Sequence, residues 1–287
     1  MAARLRKPVE SGRRTPTTEV VALPSIETLA LTRRFGDKVA VDALTLAVES
    51  GEAFALLGPN GAGKTTTLKM LTTLLPPSAG SASVAGFDVV RRAADVRRAI
   101  GYVPQLISAD GMLTGAENLL LLAKLYDVPR RERAERVRAA LAFMGLLEVG
   151  DKLVSQYSGG MIRRLEIAQS IMHRPRVLFL DEPGSGLDPV ARQAVWNHIE
   201  CLRKEDGTTV FFTTHLMEEA DQWCTRLGLL NAGRVVAIGT PAELKHSLGV
   251  AGASLNDVFI NYSGAEPDTG GTYRETLRSR RANRRRG

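Results

Sequence analysis

The 287-residue sequence is short of the features that would place it outside a cell or within a bilayer. It has two cysteines, Cys201 and Cys224, which form no C-x-x-C pair and stand at no metal-binding spacing from the four histidines. Neither a disulfide framework nor a structural zinc site is written into it, and both cysteines read as reduced thiols. Long apolar runs are missing too: the richest, residues 119–123, stops at Lys124, far short of the roughly 18 residues a spanning helix needs. The basic start lacks the apolar stretch of a secretory signal. These absences point to a protein kept inside the cell that does not itself form a pore. No internal repeat and no sustained heptad is present, which argues against a solenoid or a long coiled coil.

Charge is plentiful, and its placement says more than its total. The formal net charge is +7, from 38 basic and 31 acidic residues. Residues 1–14 hold five basic side chains (Arg4, Arg6, Lys7, Arg13, Arg14) against Glu10, and residues 274–287 hold seven arginines against Glu275. That leaves 26 basic and 29 acidic residues in 15–273, a net of −3. Such a body does not offer the positive face by which proteins hold nucleic acid, so no nucleic-acid partner is expected. The tails lack apolar periodicity and read as solvated ends, a flexible basic segment over 1–25 and an extension over 246–287 with a disordered arginine-rich tail. The sharper alternative for them is a weak contact with an anionic membrane face.

Between the tails the apolar pattern changes character several times. Residues 26–48 alternate apolar and polar over short stretches broken at Phe35-Gly36-Asp37, which predicts antiparallel strands joined by a turn. Ala53-Phe54-Ala55-Leu56-Leu57 is apolar throughout and bounded by Gly51 and Gly58, the form of a parallel strand buried on both faces. A helix is expected over 63–75, ended by Pro76-Pro77. Strand signals then disappear over 107–147, where two helical stretches, 116–126 and 130–143, read as an insert. Further on, apolar strands at 177–180 and 209–213 alternate with helices near 189–204 and 216–224. The fold class this predicts is α/β, a parallel-sheet core with an antiparallel strand lobe and a helical subdomain inserted in the middle.

The chemistry is announced by Gly58-Pro59-Asn60-Gly61-Ala62-Gly63-Lys64-Thr65, which fits G-x-x-x-x-G-K-[ST] after a buried strand and at the start of a helix, with Thr66 following. Glycines let the backbone wrap a phosphate and turn its N–H groups inward, and the helix N-terminus adds partial positive charge. Lys64 would reach the β- and γ-phosphates, and the Thr65 hydroxyl would ligate Mg²⁺. Val177-Leu178-Phe179-Leu180-Asp181-Glu182 is a buried strand ending in two acids. Asp181 would hold Mg²⁺ through its water shell, and Glu182 would orient and deprotonate the attacking water. A GTP switch would want an N-K-x-D motif, and none of the seven asparagines begins one.

Tyr157-Ser158-Gly159-Gly160-Met161, followed by a helical run over 162–172, resembles the signature motif of ABC ATPases, and other motifs of that family stand in its order. Phe35 looks like the aromatic that stacks on adenine, although alone it would serve as well in the core of the strand lobe. Gln105 in Tyr102-Val103-Pro104-Gln105 resembles the Q-loop glutamine, Ser185-Gly186-Leu187-Asp188 the D-loop, and His215 the switch histidine. The resemblance, over about 26–245, implies a domain with those bounds, a P-loop NTPase (RecA-like) parallel-sheet core and a helical subdomain over about 106–165. It implies that Gln105 senses Mg²⁺ and the γ-phosphate, and that His215 holds that phosphate and the attacking water. It also implies that Ser158, Gly159 and Gly160 of one subunit close on ATP held by another, with Asp188 communicating across the pair. The implied partners are ATP with Mg²⁺, a second copy or a second ABC subunit, and a separate transmembrane permease docked on the helical subdomain. The implied location is cytoplasmic, peripheral on the inner face of the membrane.

Met161 replaces the usual glutamine of the signature. With Arg163-Arg164-Leu165, this variant resembles the daunorubicin/doxorubicin-type branch of drug-resistance exporters. Ser254-Leu255-Asn256-Asp257-Val258-Phe259 resembles that branch's C-terminal motif, here following Glu243-Leu244-Lys245 closely. The implied function is an ATPase driving export of drugs or other hydrophobic compounds. The alternative is a non-transport ABC ATPase acting on nucleic acid or the ribosome, although the coiled-coil inserts or paired cassettes typical of those are absent.

Overall fold

The computed structural model describes residues 24–250 and 252–263. The charged stretches 1–14 and 274–287 lie outside the described residues. The first two strands, β1 (Ile26–Phe35) and β2 (Lys38–Val48), pair as an antiparallel hairpin, and Gly36 takes the left-handed conformation its turn requires (φ 56°). Next, β3 (Ala53–Leu57) is buried at every position, as its unbroken apolar composition demands. It feeds α1 (Lys64–Leu71), which is shorter than the expected 63–75. The helix stops well before Pro76 because Thr73 adopts φ 65°, with the Thr73 N–H on the Met70 carbonyl and the Leu74 N–H on the Lys69 carbonyl. That pair of bonds closes a Schellman-type end without a glycine.

Two short strands, β4 (Ala79–Val84) and β5 (Phe87–Asp88), return to the hairpin and complete a four-stranded antiparallel sheet in the order β2-β1-β4-β5. The chain then runs through α2 (Ala93–Ala99) and β6 (Ile100–Val103) into the helical insert. There α3 (Gly115–Leu125) starts on a reciprocal cap, with Thr114 and Glu117 each accepting the other's backbone N–H. The second insert helix is α4 (Arg133–Phe143), followed by α5 (Gly159–Ile171), which leads back to the core.

The remaining elements are β7 (Val177–Asp181), α6 (Pro189–Asp206), β8 (Thr209–Thr214), α7 (Met217–Trp223), β9 (Arg226–Asn231), β10 (Arg234–Gly239), α8 (Pro241–His246) and α9 (Leu255–Ser263). The second sheet has the order β10-β9-β3-β8-β7-β6. Five of its strands are parallel, and the edge strand β10 runs antiparallel to β9. Alternation along each buried strand splits the apolar interior between the two faces. Ala55, Leu57, Leu178, Leu180 and Phe212 face the cluster that holds the insert and α6, while Phe54, Leu56, Phe179 and Phe211 face α1, α2 and the strand lobe. On the first face, α9 contributes buried Leu255 and Val258, so this helix packs into the same core as the domain before it. Its start is fixed by Ser254 and Asp257, which cap one another.

Among the described residues no helix is long and apolar enough to cross a membrane, and both cysteines are free thiols. Burial pushes the Cys224 thiol up to about 12, which keeps it protonated and inert.

Candidate active site at the carboxyl ends of the core strands

In the larger sheet β8 lies between β3 and β7. The loops leaving the carboxyl ends of these three neighbours therefore meet at one place, where open parallel sheets bind ligands. From β3 comes the loop 58–63, which leaves no room for side chains at two of its glycines. A Cβ at Gly58 would lie 2.2 Å from the Leu230 carbonyl oxygen, and one at Gly63 (φ 109°) would lie 2.5 Å from that of Ala40. No side chain caps the start of α1 and its first turn has no acid, so its leading N–H groups remain open to an anion.

Lys64, the first residue of α1, is 5% exposed. Its ammonium donates to the carbonyls of Gly58 (2.8 Å) and Pro59 (3.1 Å) and lies 3.4 Å from Glu182 Oε1. Burial lowers its pKa below the ordinary lysine value, against the opposing pull of Glu182 and Asp181.

The end of β7 supplies the two acids, and β8 holds them. Asp181 is buried and accepts hydrogen bonds from the Thr213 hydroxyl (2.6 Å) and the Thr65 hydroxyl (3.2 Å). Glu182 takes a left-handed conformation (φ 49°), rare for a side chain of its size. Its N–H is pinned by the carbonyl (3.1 Å) and hydroxyl (3.0 Å) of Thr213. The carboxylate is thereby aimed at three groups distant in sequence. Gln105 Nε2 donates to Oε2 (3.2 Å), Lys64 stands beside Oε1, and His215 Nδ1 lies 3.2 Å from Oε2. This last contact is close without hydrogen-bond alignment, since the buried Nδ1 has no bonded partner.

In front of these groups is a cavity of about 460 Å³ lined by Phe35, Lys38, Asn60, Lys64, Thr65, Gln105 and Glu182, with Gly61, Gly63 and Thr66 on its walls. Phe35 is 48% exposed at the cavity, and the Arg33 guanidinium sits 4.7 Å from its ring centroid. It is thus not a residue of the lobe's core. Among the described residues no cluster of three or more His, Cys, Asp or Glu is ready to enclose a metal. The Thr65 hydroxyl beside one carboxylate, facing a phosphate cradle, instead matches Mg²⁺, which takes one or two protein ligands and completes its shell with water and phosphate.

Ser158, Gly159 and Gly160 lie elsewhere and do not line this cavity. Ser158 caps α5 by accepting the Met161 N–H (3.3 Å), and both Ser158 and Gly159 are exposed. Gly160 is pressed on α6, where an added Cβ would lie 2.7 Å from that of Ala191. Asp188 caps α6 with bonds from the N–H groups of Val190 and Ala191. Two helix starts therefore sit side by side on one surface, next to Val190, which is 80% exposed.

Sequence reasoning missed the groups that hold these loops. Thr213 read only as the end of a strand and Thr214 only as a neighbour of His215, although two hydroxyls closing an apolar run at the carboxyl end of a core strand were a usable signal. Buried Glu219 of α7 accepts from Thr214 (2.7 Å) and Trp196 (3.4 Å) and lies 3.8 Å from Arg192, whose other end donates to the Leu187 carbonyl. No linear pattern marks that cluster. Lys38, in the cavity wall, was likewise passed over.

A glycine cradle between a buried strand and a helix, with two carboxylates behind it, defines the P-loop nucleoside triphosphatases. The chain belongs to the ABC transporter family, whose pattern matches residues 41–185. The daunorubicin resistance ATP-binding protein DrrA3 of Streptomyces coeruleorubidus is 48% identical over 217 residues, covering 76% of this chain and 68% of that one. A solved ATP-binding subunit of an ABC transporter superimposes with a TM-score of 0.74 at 29% identity, covering 83% of this chain and 98% of that one. A dimeric, post-hydrolysis ATP-binding cassette, MJ0796 with ADP and Pi, gives 0.67 at 26% identity, with coverage of 75% and 98%. The chain is an ATP-binding and ATP-hydrolysing subunit of the ABC transporter class.

Proposed function

We propose that two copies of this chain, or one copy and a second ABC subunit, close around Mg-ATP and drive a separate permease, working at the inner face of the cell membrane. The observation that carries the reading is the convergence of Lys64, Gln105 and His215 on Glu182 beside the glycine cradle. Glu182 is the base: its carboxylate takes a proton from the attacking water while Gln105 and His215 orient both. Lys64 leaves the carbonyls of Gly58 and Pro59 to meet the β- and γ-phosphates, and Phe35 stacks on adenine. Thr65 and Asp181 would hold the metal, Asp181 through water, and Gln105 would sense it. Bound Mg²⁺ offsets negative charge on the phosphates.

The pairing is supported by the exposed Ser158 and Gly159, an anion-binding helix start with no nucleotide of its own to face. Beside them Asp188 and Val190 stand at the same surface. A permease is supported by Leu106 and Ile107, directly after Gln105, and by Met112 further along the same segment before α3, which are 82%, 65% and 83% exposed. An exporter of drugs or other hydrophobic compounds is favoured by the likeness to the daunorubicin resistance protein.

The test is Mg²⁺-dependent ATP hydrolysis by the purified chain with its permease. Glu182→Gln is expected to lower kcat by about 10²–10⁴-fold while ATP still binds, and Ser158→Arg to stop hydrolysis while sparing ATP binding by a single chain. Unchanged turnover in either variant would refute the corresponding role.

A further inference from the structure

Arg163 and Glu166 stand one turn apart on α5, five and eight residues beyond its cap Ser158. Their side chains are 8% and 2% exposed, and Arg163 Nη1 lies 3.1 Å from Glu166 Oε2. An ion pair so deeply buried is seldom the most stabilising choice, because apolar side chains of similar volume fill such a place as well or better. What this pair does with its remaining bonding capacity is therefore informative. Arg163 Nη1 also donates to the Pro104 carbonyl (2.7 Å), and Nη2 to the Gln105 carbonyl (3.2 Å). Glu166 Oε1 accepts from the Ser108 N–H (2.5 Å) and the Ser108 hydroxyl (2.9 Å).

The irregular segment between β6 and α3 is thus held at 104–105 by the guanidinium and at 108 by the carboxylate. Between these anchors Leu106 and Ile107 project outward, and the Gln105 side chain reaches back to Glu182.

We infer that the Arg163–Glu166 pair is a positioning device that makes the placement of Gln105 depend on the seat of α5. The inference rests on the reading of Ser158 and Gln105 given above. Under it, α5 presents its start to the nucleotide held by one subunit while its ion pair sets the glutamine at the nucleotide held by its own. Movement of α5 when the two subunits close would then register in the second site through two side chains and four bonds to loop backbone and hydroxyl. The sequence does not expose this link, since Arg163 stands there only as part of the signature variant and no linear pattern joins it to Glu166 or to the segment after β6.

The test uses the full chain carrying Arg163→Met with Glu166→Leu, an apolar exchange that keeps α5 packed and removes both anchors. Binding of a fluorescent ATP analogue without Mg²⁺ reads the P-loop alone, and its Kd should stay within about twofold of wild type. Amide hydrogen exchange over 104–108 should become at least about tenfold faster, and kcat should fall by about tenfold or more. Ser108→Pro cuts both bonds to Glu166 from an exposed position; because it removes that amide itself, its readout is kcat, which should fall in the same way and keeps the test alive should the double variant fold poorly. Wild-type exchange over 104–108 with wild-type kcat would overturn the inference. So would a parallel loss of analogue binding, which would show the pair to serve the fold at large. Absence of hydrolysis in the wild-type chain would count against the ATPase reading alone, because the exchange measurement does not depend on turnover.

Discussion

At Glu182 the backbone holds a conformation that costs a non-glycine residue about 1–3 kcal/mol, and Thr213 is what holds it there. The same hydroxyl donates to Asp181, so one side chain of β8 sets the geometry of both acids. Thr213→Val keeps the shape and removes the hydroxyl. It should lower stability by about 1–3 kcal/mol, the cost of leaving buried polar groups without partners, and lower kcat as the acids lose register. Thermal unfolding and turnover measured on the same sample check this, and an unaltered kcat would exclude Thr213 from the site. Lys64 offers a test of opposite sign. Burial lowers its pKa in the folded chain, so folding is opposed by its charge at neutral pH, and that opposition is relieved only as pH rises from the lowered value towards the unfolded one, 10.5. Lys64→Met should abolish tight ATP binding while leaving the melting temperature of the nucleotide-free protein at pH 7 equal to or above that of wild type. A markedly lower melting temperature would show that its three polar contacts outweigh desolvation.

Among the elements, the helices depend on capping that is legible in sequence and measurable in solution. Thr114→Ala removes one side of the reciprocal cap of α3 and should cost about 1 kcal/mol, a fall of about 2–4 °C in melting temperature for a chain of this size. The partner Glu117 is held below the usual carboxylate value, first by the Thr114 N–H and then by its hydroxyl. The sign follows: its contribution is complete above the unfolded value and is lost as pH falls through the lower, folded one. The melting-temperature gap between wild type and Glu117→Gln should therefore close as the solution is acidified below about pH 4; a constant gap would contradict the cap. Long periodic or wholly apolar stretches revealed their elements, as at β3, α3 and α6. Others left little trace. β4 is Ala-Gly-Ser-Ala-Ser-Val, a half-exposed strand without apolar alternation, and β6 has four residues. β10 is an edge strand whose direction is set by the tight turn at Ala232-Gly233, both at positive φ, which no periodicity reports. The early end of α1 was hidden because a threonine, in place of glycine, takes the left-handed position at 73.

For the molecule as a whole, the sequence carried the identity of the site better than its mechanics. Glycine cradle, paired acids and signature are each short and contiguous, so they could be read directly. The groups that aim them, Thr213, Glu219 and the Arg163–Glu166 pair, matter only because β3, β8 and β7 are neighbours and α5 lies against the segment after β6. Adjacency of that kind arises in three dimensions. It also separates the two helix starts, with α1 facing the cavity and α5 facing outward beside α6. The central claim is that a second subunit brings those halves together. The most direct measurement is multi-angle light scattering of the full-length Glu182→Gln chain with Mg²⁺, with and without ATP. The account predicts a monomer that pairs on adding ATP, with a second copy or with the other ABC subunit of its transporter, and returns to monomer when Ser158→Arg is added; a chain that keeps the monomer mass at saturating ATP, both alone and mixed with that subunit, would contradict it.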